Sequence, residues 1–245
     1  MKKFFKKYAL ATIFLMNSFA SDAQRLEEIT VIGVVPAGSS IDATKLAYPI
    51  QTANAEDLDS ASILNIADFL RQNFSSVSVN DAQNNPMQPD IQYRGFTASP
   101  LLGLAQGLAI YQNGARINEP LGDTVNWDLL PQSAIETLTL GGGANPLYGL
   151  NSLGGALVIE MKNGFSFEGA NLEVSAGSFG RTVSNFEIGG NNGEFAFYAN
   201  VEYFEEDGWR EYSSSDAINF YGSLGWRQEN TEITLNFQHG EAELT

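Results

Sequence analysis

Residues able to support catalysis or metal binding are scarce in this chain of 245 residues. It contains no cysteine and one histidine, His239, so thiolate and multi-histidine metal sites are excluded and a Ser-His-Asp triad would depend on that residue. Carboxylates stand close together at Asp57/Asp59 and Glu205/Glu206, but such neighbours are more often solvated charges than an acid–base pair. We therefore predict that the protein is not an enzyme and uses no metal or cofactor.

A glycine-rich stretch, YGLNSLGGALVIEMK at 148–162, is the other candidate for chemistry. Glycine-rich turns can cradle phosphate, but the Walker pattern needs a Lys directly after its second glycine, and none follows Gly155 in that register. Glycine also permits positive φ and close approach of the backbone to another surface. We therefore predict that this turn lets a packed element pass a neighbouring surface at short range.

The N-terminus predicts export from the cytoplasm. Four lysines within the first seven residues precede an apolar run of about 13 residues, shorter than the roughly 20 that a membrane-spanning helix requires. Small residues follow this run, and we expect cleavage after Ala23. Residues 1–23 are therefore predicted to be a secretory signal peptide.

The chain is strongly acidic. Removal of the signal peptide takes away four lysines and Asp22, which changes the formal net charge from −16 to −19. No Lys/Arg cluster follows residue 23, so nucleic acid is excluded as a partner, because binding it requires basic residues that neutralise phosphates. The acidity itself indicates solubility and self-repulsion.

A short β-prone stretch, Ile29-Thr30-Val31-Ile32, precedes a segment rich in Gly, Pro and Ser. A strand outside any domain has unpaired backbone groups and can add to the sheet edge of another protein. It can equally be the first strand of the following domain. The spacing alone leaves both interpretations open.

Residues 50–162 have the pattern of a small α+β domain. A helix is predicted from apolar residues at helical spacing, namely Ile63, Ile66, Ala67 and Leu70. Ser62 is placed to cap this helix and Asn73 to end it. Asn113-Gly114 between apolar arms predicts a hairpin. Further short strands are predicted at 76–79, 135–140 and 156–161.

From residue 169 onward, apolar and polar residues alternate in about five segments. The clearest case sets Phe195, Phe197, Ala199, Val201 and Tyr203 against Glu194, Ala196, Tyr198, Asn200 and Glu202. These strands run for about eight to twelve residues, against about five or six in soluble sheets, and roughly nine to eleven tilted residues cross a bilayer. The pattern favours a transmembrane barrel, although a secreted β-sandwich also alternates.

The segments between these strands support the same interpretation. GGNNG and QEN are compact, whereas EEDGWREYSSSD is long and polar, as expected when short turns lie on one side of a membrane and longer loops on the other. Aromatic residues near the strand ends are predicted to form an interfacial girdle; they are Tyr203, Phe204, Trp209, Tyr212 and Trp226.

Four segments resemble motifs of the TonB-dependent outer-membrane receptors. EEITVIG at 27–33 resembles the TonB box, and three segments resemble plug-domain motifs, namely IQYRGF at 91–96, AIYQNGARINEP at 109–120 and LYGLNSLGGALVIEMK at 147–162. The resemblance implies an α+β plug domain followed by the first strands, about five, of an incomplete transmembrane β-barrel. The expected segments are a signal peptide at 1–23, a periplasmic TonB-box segment and tether at 24–49, a plug domain at 50–162 and initial barrel strands at 163–245.

The resemblance also assigns site residues. TonB is expected to bind Glu28, Ile29, Thr30, Val31 and Ile32. The plug motifs contribute Arg94, Gly95, Asn113, Gly114, Tyr148, Gly149, Gly154 and Gly155, and the last three are expected to let the chain pass close to the barrel wall. Gly141 replaces an arginine that family members can pair with barrel carboxylates. We therefore expect Arg94 to take that role, with Glu187, Glu194 or Glu202 as its partner.

The function implied is import of a scarce, unidentified ligand through a plugged barrel, with energy relayed by TonB and its inner-membrane complex. The protein is then expected in the outer membrane of a Gram-negative bacterium, surrounded by lipid, with its plug and TonB box reached from the periplasm. The chain is expected to be an N-terminal fragment of the receptor. Two alternatives are a secreted soluble β-rich carbohydrate-binding protein and a periplasmic interaction protein made of the plug.

Overall fold

The computed structural model describes residues 31–33, 40–42, 48–60, 65–81 and 85–244. Residues from Val31 onward form one compact unit. The predicted signal peptide lies outside the described residues, as do Ser62 and Ile63.

The described elements fall into an N-terminal domain and a C-terminal sheet. Two short strands, β1 (Val31–Gly33) and β2 (Ser40–Asp42), pair with each other ahead of both. The elements of the N-terminal domain are β3 (Ile50–Asn54), α1 (Ala55–Ser60), α2 (Ile66–Asn73), β4 (Val77–Asn80), β5 (Asp90–Tyr93), β6 (Phe96–Ala98), β7 (Leu108–Gln112), β8 (Ala115–Arg116), β9 (Ile135–Gly142) and β10 (Gly155–Met161). Those of the C-terminal sheet are β11 (Gly169–Ala176), β12 (Thr182–Asn191), β13 (Phe195–Glu206), β14 (Ser215–Gln228) and β15 (Thr231–Leu244).

The N-terminal domain is the predicted α+β unit. A five-stranded sheet has the order β3-β9-β10-β7-β8, a three-stranded sheet has the order β4-β5-β6, and only β10 and β7 run parallel among these described pairs. Its apolar core contains the fully buried Trp127, and short 3-10 helices (Trp127–Leu129, Gln132–Ala134 and Pro146–Tyr148) lie between strands. The domain thus buries its apolar side chains in the interior, as soluble domains do.

Helix α2 begins later than the sequence predicts. Its N-cap is Asn65, whose side-chain oxygen accepts a hydrogen bond from the Asp68 backbone nitrogen at 2.8 Å. The prediction of Ser62 as the cap is therefore wrong, because Asn65 satisfies the free N–H group one turn further on. The helix ends at Asn73 as predicted, and one face buries Ile66, Ala67, Phe69 and Leu70.

No helix in the described part of the chain is long and apolar enough to cross a membrane.

The Asn113-Gly114 hairpin between β7 and β8 is confirmed. Both residues have positive φ, 46° and 78°, as a two-residue hairpin turn with the right twist requires. Asparagine tolerates this region and glycine has no Cβ to oppose it, so the sequence specifies the turn.

The C-terminal sheet is an antiparallel meander, β11-β12-β13-β14-β15, with each strand paired to the next. Its strands have 8, 10, 12, 14 and 14 residues. The connections at 192–194 and 229–230 are short and lie at one end, while those at 177–181 and 207–214 are longer and lie at the other. This end-to-end difference agrees with the prediction from sequence.

Burial in this sheet is reversed relative to the N-terminal domain. In β13, Phe195, Phe197, Val201 and Tyr203 are exposed, whereas Tyr198, Asn200 and Glu202 are buried. The same holds in β14, where Ile218 and Leu224 are exposed and Asn219 and Tyr221 are buried. The predicted division into two faces is confirmed, and the polar face is the one that packs against the protein.

Two members of the predicted aromatic girdle are misplaced. Trp209 lines a cleft together with Pro86 and Pro89 of the N-terminal domain. Phe204 is only 6% exposed and packs with Met87 of the N-terminal domain and with Ala217. Side chains of a strand alternate between its two faces, so Phe204, two residues after the buried Glu202, lies on the same buried face. The prediction that Phe204 faces the membrane interface is therefore wrong.

Candidate functional site

The polar face of the C-terminal sheet contacts the N-terminal domain through a buried ion pair. The Lys162 Nζ atom lies 3.0 Å from Glu187 Oε2, and the side chains are 5% and 3% exposed. Lys162 also donates to the Ser133 carbonyl oxygen at 3.1 Å, and the Tyr198 hydroxyl donates to Glu187 at 2.6 Å. Each charge therefore has further hydrogen bonds, which a buried ion pair requires to offset desolvation.

A second polar contact lies beside this pair. The backbone nitrogen of Ser133 donates to Glu202 Oε2 at 2.9 Å, and the Asn200 amide donates to the Ser133 hydroxyl at 3.1 Å. Asn200 also donates to Asn185 at 2.7 Å. Buried polar groups of the C-terminal sheet are thus paired with the 3-10 helix Gln132–Ala134 rather than with solvent.

The Asn113-Gly114 hairpin makes a third contact. Asn113 accepts from the Met161 backbone nitrogen at 2.8 Å and donates from its side chain to the Tyr221 hydroxyl at 2.9 Å. Next to it, the amides of Gln112 and Gln238 are joined at 2.6 Å. Asn113 therefore has two roles, since its backbone forms the turn and its side chain ties the turn to β14.

A fourth contact joins the 3-10 helix Trp127–Leu129 to the same sheet. The Asn219 side chain donates to the Asp128 carbonyl oxygen at 3.0 Å, and both residues are buried. Burial raises the pKa of the Asp128 carboxyl, while a hydrogen bond from Gln88 opposes the rise. The four contacts together involve β12, β13, β14 and Gln238 of β15, whereas every residue of β11 is exposed.

The connection at 163–168 passes close to the C-terminal sheet. A Cβ atom added to Gly164 would lie 2.3 Å from the Phe197 carbonyl oxygen, so only glycine fits there. Phe165 and Phe167 of this connection lie over Gly225 and Gly189, where an added Cβ would come within 2.6 Å and 3.1 Å of their rings. Glycines thus accommodate the chain as it leaves the N-terminal domain.

The closing glycines approach a different surface. A Cβ on Gly155, which has φ of 130°, would lie 2.0 Å from the Gly141 carbonyl oxygen, and one on Gly154 would lie 2.4 Å from Phe96 Cβ. The prediction that these glycines pass the barrel wall is wrong, because both are packed inside the N-terminal domain. Gly149 has φ of 74° and ends the 3-10 helix Pro146–Tyr148.

Gly141 makes room for Tyr148. An added Cβ at Gly141 would lie 3.1 Å from the Tyr148 hydroxyl oxygen and 3.5 Å from the Tyr48 ring. Tyr148 is 2% exposed, and burial raises the pKa of its hydroxyl. Its carbonyl oxygen accepts a hydrogen bond from Tyr111 at 2.8 Å.

Arg94 does not take the arginine's role. Arg94 and Gly95 form the two-residue turn between β5 and β6, with φ of 52° and 86°, and both residues are exposed. The Arg94 guanidinium lies 5.1 Å from the centre of the Tyr93 ring. The expected pairing with Glu187, Glu194 or Glu202 is therefore wrong: Glu187 binds Lys162, Glu202 binds Ser133, and Glu194 is exposed in the 192–194 turn, where it accepts from Trp226.

Lys162 is the residue that sequence reasoning missed. A signal was present, because Lys162 ends the glycine-rich motif and follows an apolar strand directly. A lysine there is buried only if a carboxylate meets it, and the sequence does not show which strand supplies that carboxylate.

The expected TonB-binding residues are only partly described. Glu28, Ile29 and Thr30 lie outside the described residues. Val31 and Ile32 belong to β1, whose backbone pairs with Asp42 and Ile41 of β2. Over the described ranges, no group of three or more His, Asp or Glu residues is arranged to hold a metal ion.

A family profile matches most of the N-terminal domain. The profile of the TonB-dependent receptor plug domain matches residues 42–156. Comparison with curated protein sequences found no significant match.

Three solved structures share the arrangement of both parts. The pyoverdine outer membrane receptor FpvA from Pseudomonas aeruginosa PAO1 has 18% identity and a TM-score of 0.68, with 83% of this chain and 29% of that chain covered. BauA, the ferric preacinetobactin receptor from Acinetobacter baumannii, has 17% identity and a TM-score of 0.67, with 86% and 30% covered. The copper transporter OprC has 18% identity and a TM-score of 0.63, with 88% and 33% covered.

These identities show a shared fold. The chain spans about a third of the length of each of these structures. The C-terminal sheet of this chain matches only a part of the barrel in those structures, and among the described residues β11 and β15 each pair with a single strand.

Proposed function

We propose, from the premise that this chain carries the TonB-dependent receptor plug domain at residues 42–156, that it is the N-terminal part of an outer-membrane receptor that imports a scarce ligand. The N-terminal domain is the plug in this proposal, and the C-terminal sheet is the first part of the barrel wall. The proposal involves no catalysis.

The reversed burial of the C-terminal sheet carries this proposal. Its buried face is polar and meets the N-terminal domain, while its exposed face carries apolar side chains such as Phe197, Val201 and Leu224. A water-filled or plugged interior and a hydrocarbon exterior select this pattern. A secreted carbohydrate-binding sheet would instead have its solvent face polar, so the exposed apolar rows oppose that alternative.

Energy coupling is the next step of the proposal. A plug held by a buried ion pair and several further polar contacts blocks its barrel, so import requires that some of these contacts break. The outer membrane has no nucleotide supply, and we propose that TonB and its inner-membrane complex provide the force from the periplasm. TonB would pair with the backbone of Glu28 to Ile32 by strand addition.

Ile29→Pro in the full-length receptor tests the coupling. Proline removes one backbone donor and fixes φ, so strand addition at the box should fail. We expect ligand uptake to be abolished while insertion into the outer membrane, measured by heat-modifiable migration, is unchanged.

Gly38→Pro, in the tether beyond the β-prone stretch, is the control. It introduces the same residue outside the box, and uptake should continue. Normal uptake by the Ile29→Pro variant would contradict the assignment of the box, and loss of uptake in both variants would show that proline acts on the tether.

A further inference from the structure

We propose that the cleft at the long-loop end of the C-terminal sheet is an entry site for an uncharged or cationic carbohydrate. The cleft has a volume of about 380 Å³ and lies between α2, the plug residues Val79, Asp81, Pro86 and Pro89, and the two longer connections, 177–181 and 207–214. Longer loops lie on the extracellular side of outer-membrane barrels, so this cleft would open toward the medium. The inference names the ligand class of the receptor proposed above and rests on that proposal for the import step.

Two aromatic rings line the cleft from the connections. Phe179 and Trp209 are 56% and 57% exposed, and they share the cleft with Pro86 and Pro89 of the N-terminal domain. Their position opposite that domain places them toward the inside of the wall, away from lipid. The Arg210 guanidinium lies 4.1 Å from the centre of the Trp209 ring. This contact holds the indole in place while more than half of its surface stays exposed.

The backbone holds Phe179 in an unusual conformation. Its φ is 61°, which is uncommon for a bulky residue, and its carbonyl oxygen accepts a hydrogen bond from the Asp207 backbone nitrogen at 2.9 Å. Gly180 lies against the Asp207 side chain, where an added Cβ would be 2.3 Å from the carboxylate oxygen. The two connections are thus held together by this hydrogen bond. The strained backbone conformation belongs to Phe179, whose apolar ring is exposed.

The charges in the cleft nearly cancel. Three carboxylates, of Asp68, Asp81 and Glu206, and two guanidiniums, of Arg71 and Arg181, line the cleft, and Asp207 and Arg210 beside it add one charge of each sign. Arg71 pairs with Asp68 at 2.6 Å and Arg181 pairs with Glu206 at 2.5 Å, so Asp81 is left as the excess charge. An anionic ligand would meet this net negative charge and two guanidiniums that are already paired, so the cleft disfavours it.

The remaining chemistry matches a sugar. A pyranose ring has a flat C–H face that packs on an aromatic ring, and its hydroxyls both donate and accept hydrogen bonds. The cleft offers two aromatic rings together with the Asp81 carboxylate as an acceptor and the N–H groups of Arg71 and Arg181 that their ion pairs do not use. A concave site of this size with a few convergent polar groups is typical of small-ligand binding.

Three pentasaccharides that differ in charge test the inference. The neutral pentamer of N-acetylglucosamine, the cationic pentamer of glucosamine and the anionic pentamer of galacturonic acid are titrated by calorimetry into the full-length receptor. The detergent must lack a sugar headgroup. We expect the neutral and protonated cationic pentamers to bind and the anionic one not to bind.

Variants identify the site. Trp209→Ala and Phe179→Ala should each weaken binding of the neutral pentamer by about 10-fold, which corresponds to about 1.4 kcal/mol. Tyr212→Ala is the control, because Tyr212 is an exposed aromatic residue of the same connection that does not line the cleft. Asp81→Lys should allow the anionic pentamer to bind. Heat-modifiable migration shows that each variant is folded.

The proposal is overturned if no pentamer binds, if the anionic pentamer binds the unaltered receptor as tightly as the neutral one, or if Tyr212→Ala weakens binding as much as Trp209→Ala. Failure of the import proposal is distinguishable from these results. In that case the purified receptor binds the neutral pentamer through Trp209, but the Ile29→Pro variant still takes up ligand in cells.

Discussion

The N-terminal domain and the C-terminal sheet bury opposite kinds of side chain. The domain places Trp127, Leu157 and Ile159 in its interior, whereas the sheet turns Asn200, Glu202 and other polar residues inward. The N-terminal domain would therefore be unstable with its polar surface in lipid, and the C-terminal sheet would be unstable with its apolar face in water. The difference indicates that the two parts face different solvents: the central strands β7 and β10 of the domain are buried almost continuously, whereas β13 of the sheet alternates between exposed and buried residues.

The inner face of the sheet also shows how two such parts fit together. Its tyrosines Tyr198 and Tyr221 join the apolar core of the N-terminal domain, while their hydroxyls bind Glu187 and Asn113. Tyrosine suits this position because it has an apolar body and a polar tip. The contact between the two parts is therefore neither an ordinary core nor an ordinary solvated surface.

The largest effect is expected where a charge is left alone between the two parts. Lys162→Met removes the partner of Glu187, whose side chain is 3% exposed, and should cost about 3–5 kcal/mol of unfolding free energy. Urea unfolding of the full-length receptor in detergent measures the change.

The double variant Lys162→Met/Glu187→Gln is the matched control. It removes both charges and keeps an acceptor for Tyr198, so it should regain most of the lost stability. A double variant no more stable than Lys162→Met would contradict the role of the pair.

A charge on the outer face of the sheet should have the next largest effect. Val201 lies on the exposed face near the middle of β13, and Val201→Arg should cost about 2–4 kcal/mol if that face meets hydrocarbon. Glu205→Arg, on the same face near the strand end, should cost about 0–1 kcal/mol. Equal tolerance of both variants in a membrane-assembly assay would indicate a solvated face and remove the contrast between the two parts.

A methyl group at the crossing between the two parts should be moderately destabilising. Gly164→Ala places a Cβ 2.3 Å from the Phe197 carbonyl oxygen, and relief requires a backbone shift that should cost about 1–3 kcal/mol. Gly190→Ala is the control, since its nearest contact is the Phe197 ring at 3.6 Å. Thermal unfolding of both variants would show whether the chain crosses where the structure has it.

The smallest effect belongs to the N-terminal domain and follows the rules of soluble proteins. Asn65→Ala removes the cap of α2 and should cost about 1 kcal/mol. Gln72→Ala, at an exposed position of the same helix, should change the unfolding free energy far less. If both substitutions change it equally, the cap contributes nothing and the helix start is set by packing.

Local pattern made the strands and the hairpin predictable, because alternation and the Asn113-Gly114 pair act over a few residues. The partners of charged residues depend on contacts far apart in sequence, such as Lys162 with Glu187, and were not predictable. Arg94 was misassigned for the same reason. The glycines at 154 and 155 correctly indicated a close approach to a neighbouring surface. Only the fold shows that this surface is Gly141 and Phe96 of the same domain and not the barrel wall.

Site-directed spin labelling along β13 of the full-length receptor in lipid bilayers tests the central claim most directly, since it measures which side of each strand meets hydrocarbon. Labels are introduced singly at 197–203, and their collisions with lipid-dissolved oxygen and with a water-soluble nickel complex are compared. The account predicts a period of two, with high oxygen accessibility at Phe197, Ala199, Val201 and Tyr203 and low accessibility at Tyr198, Asn200 and Glu202. High accessibility of the first set to the nickel complex would contradict it.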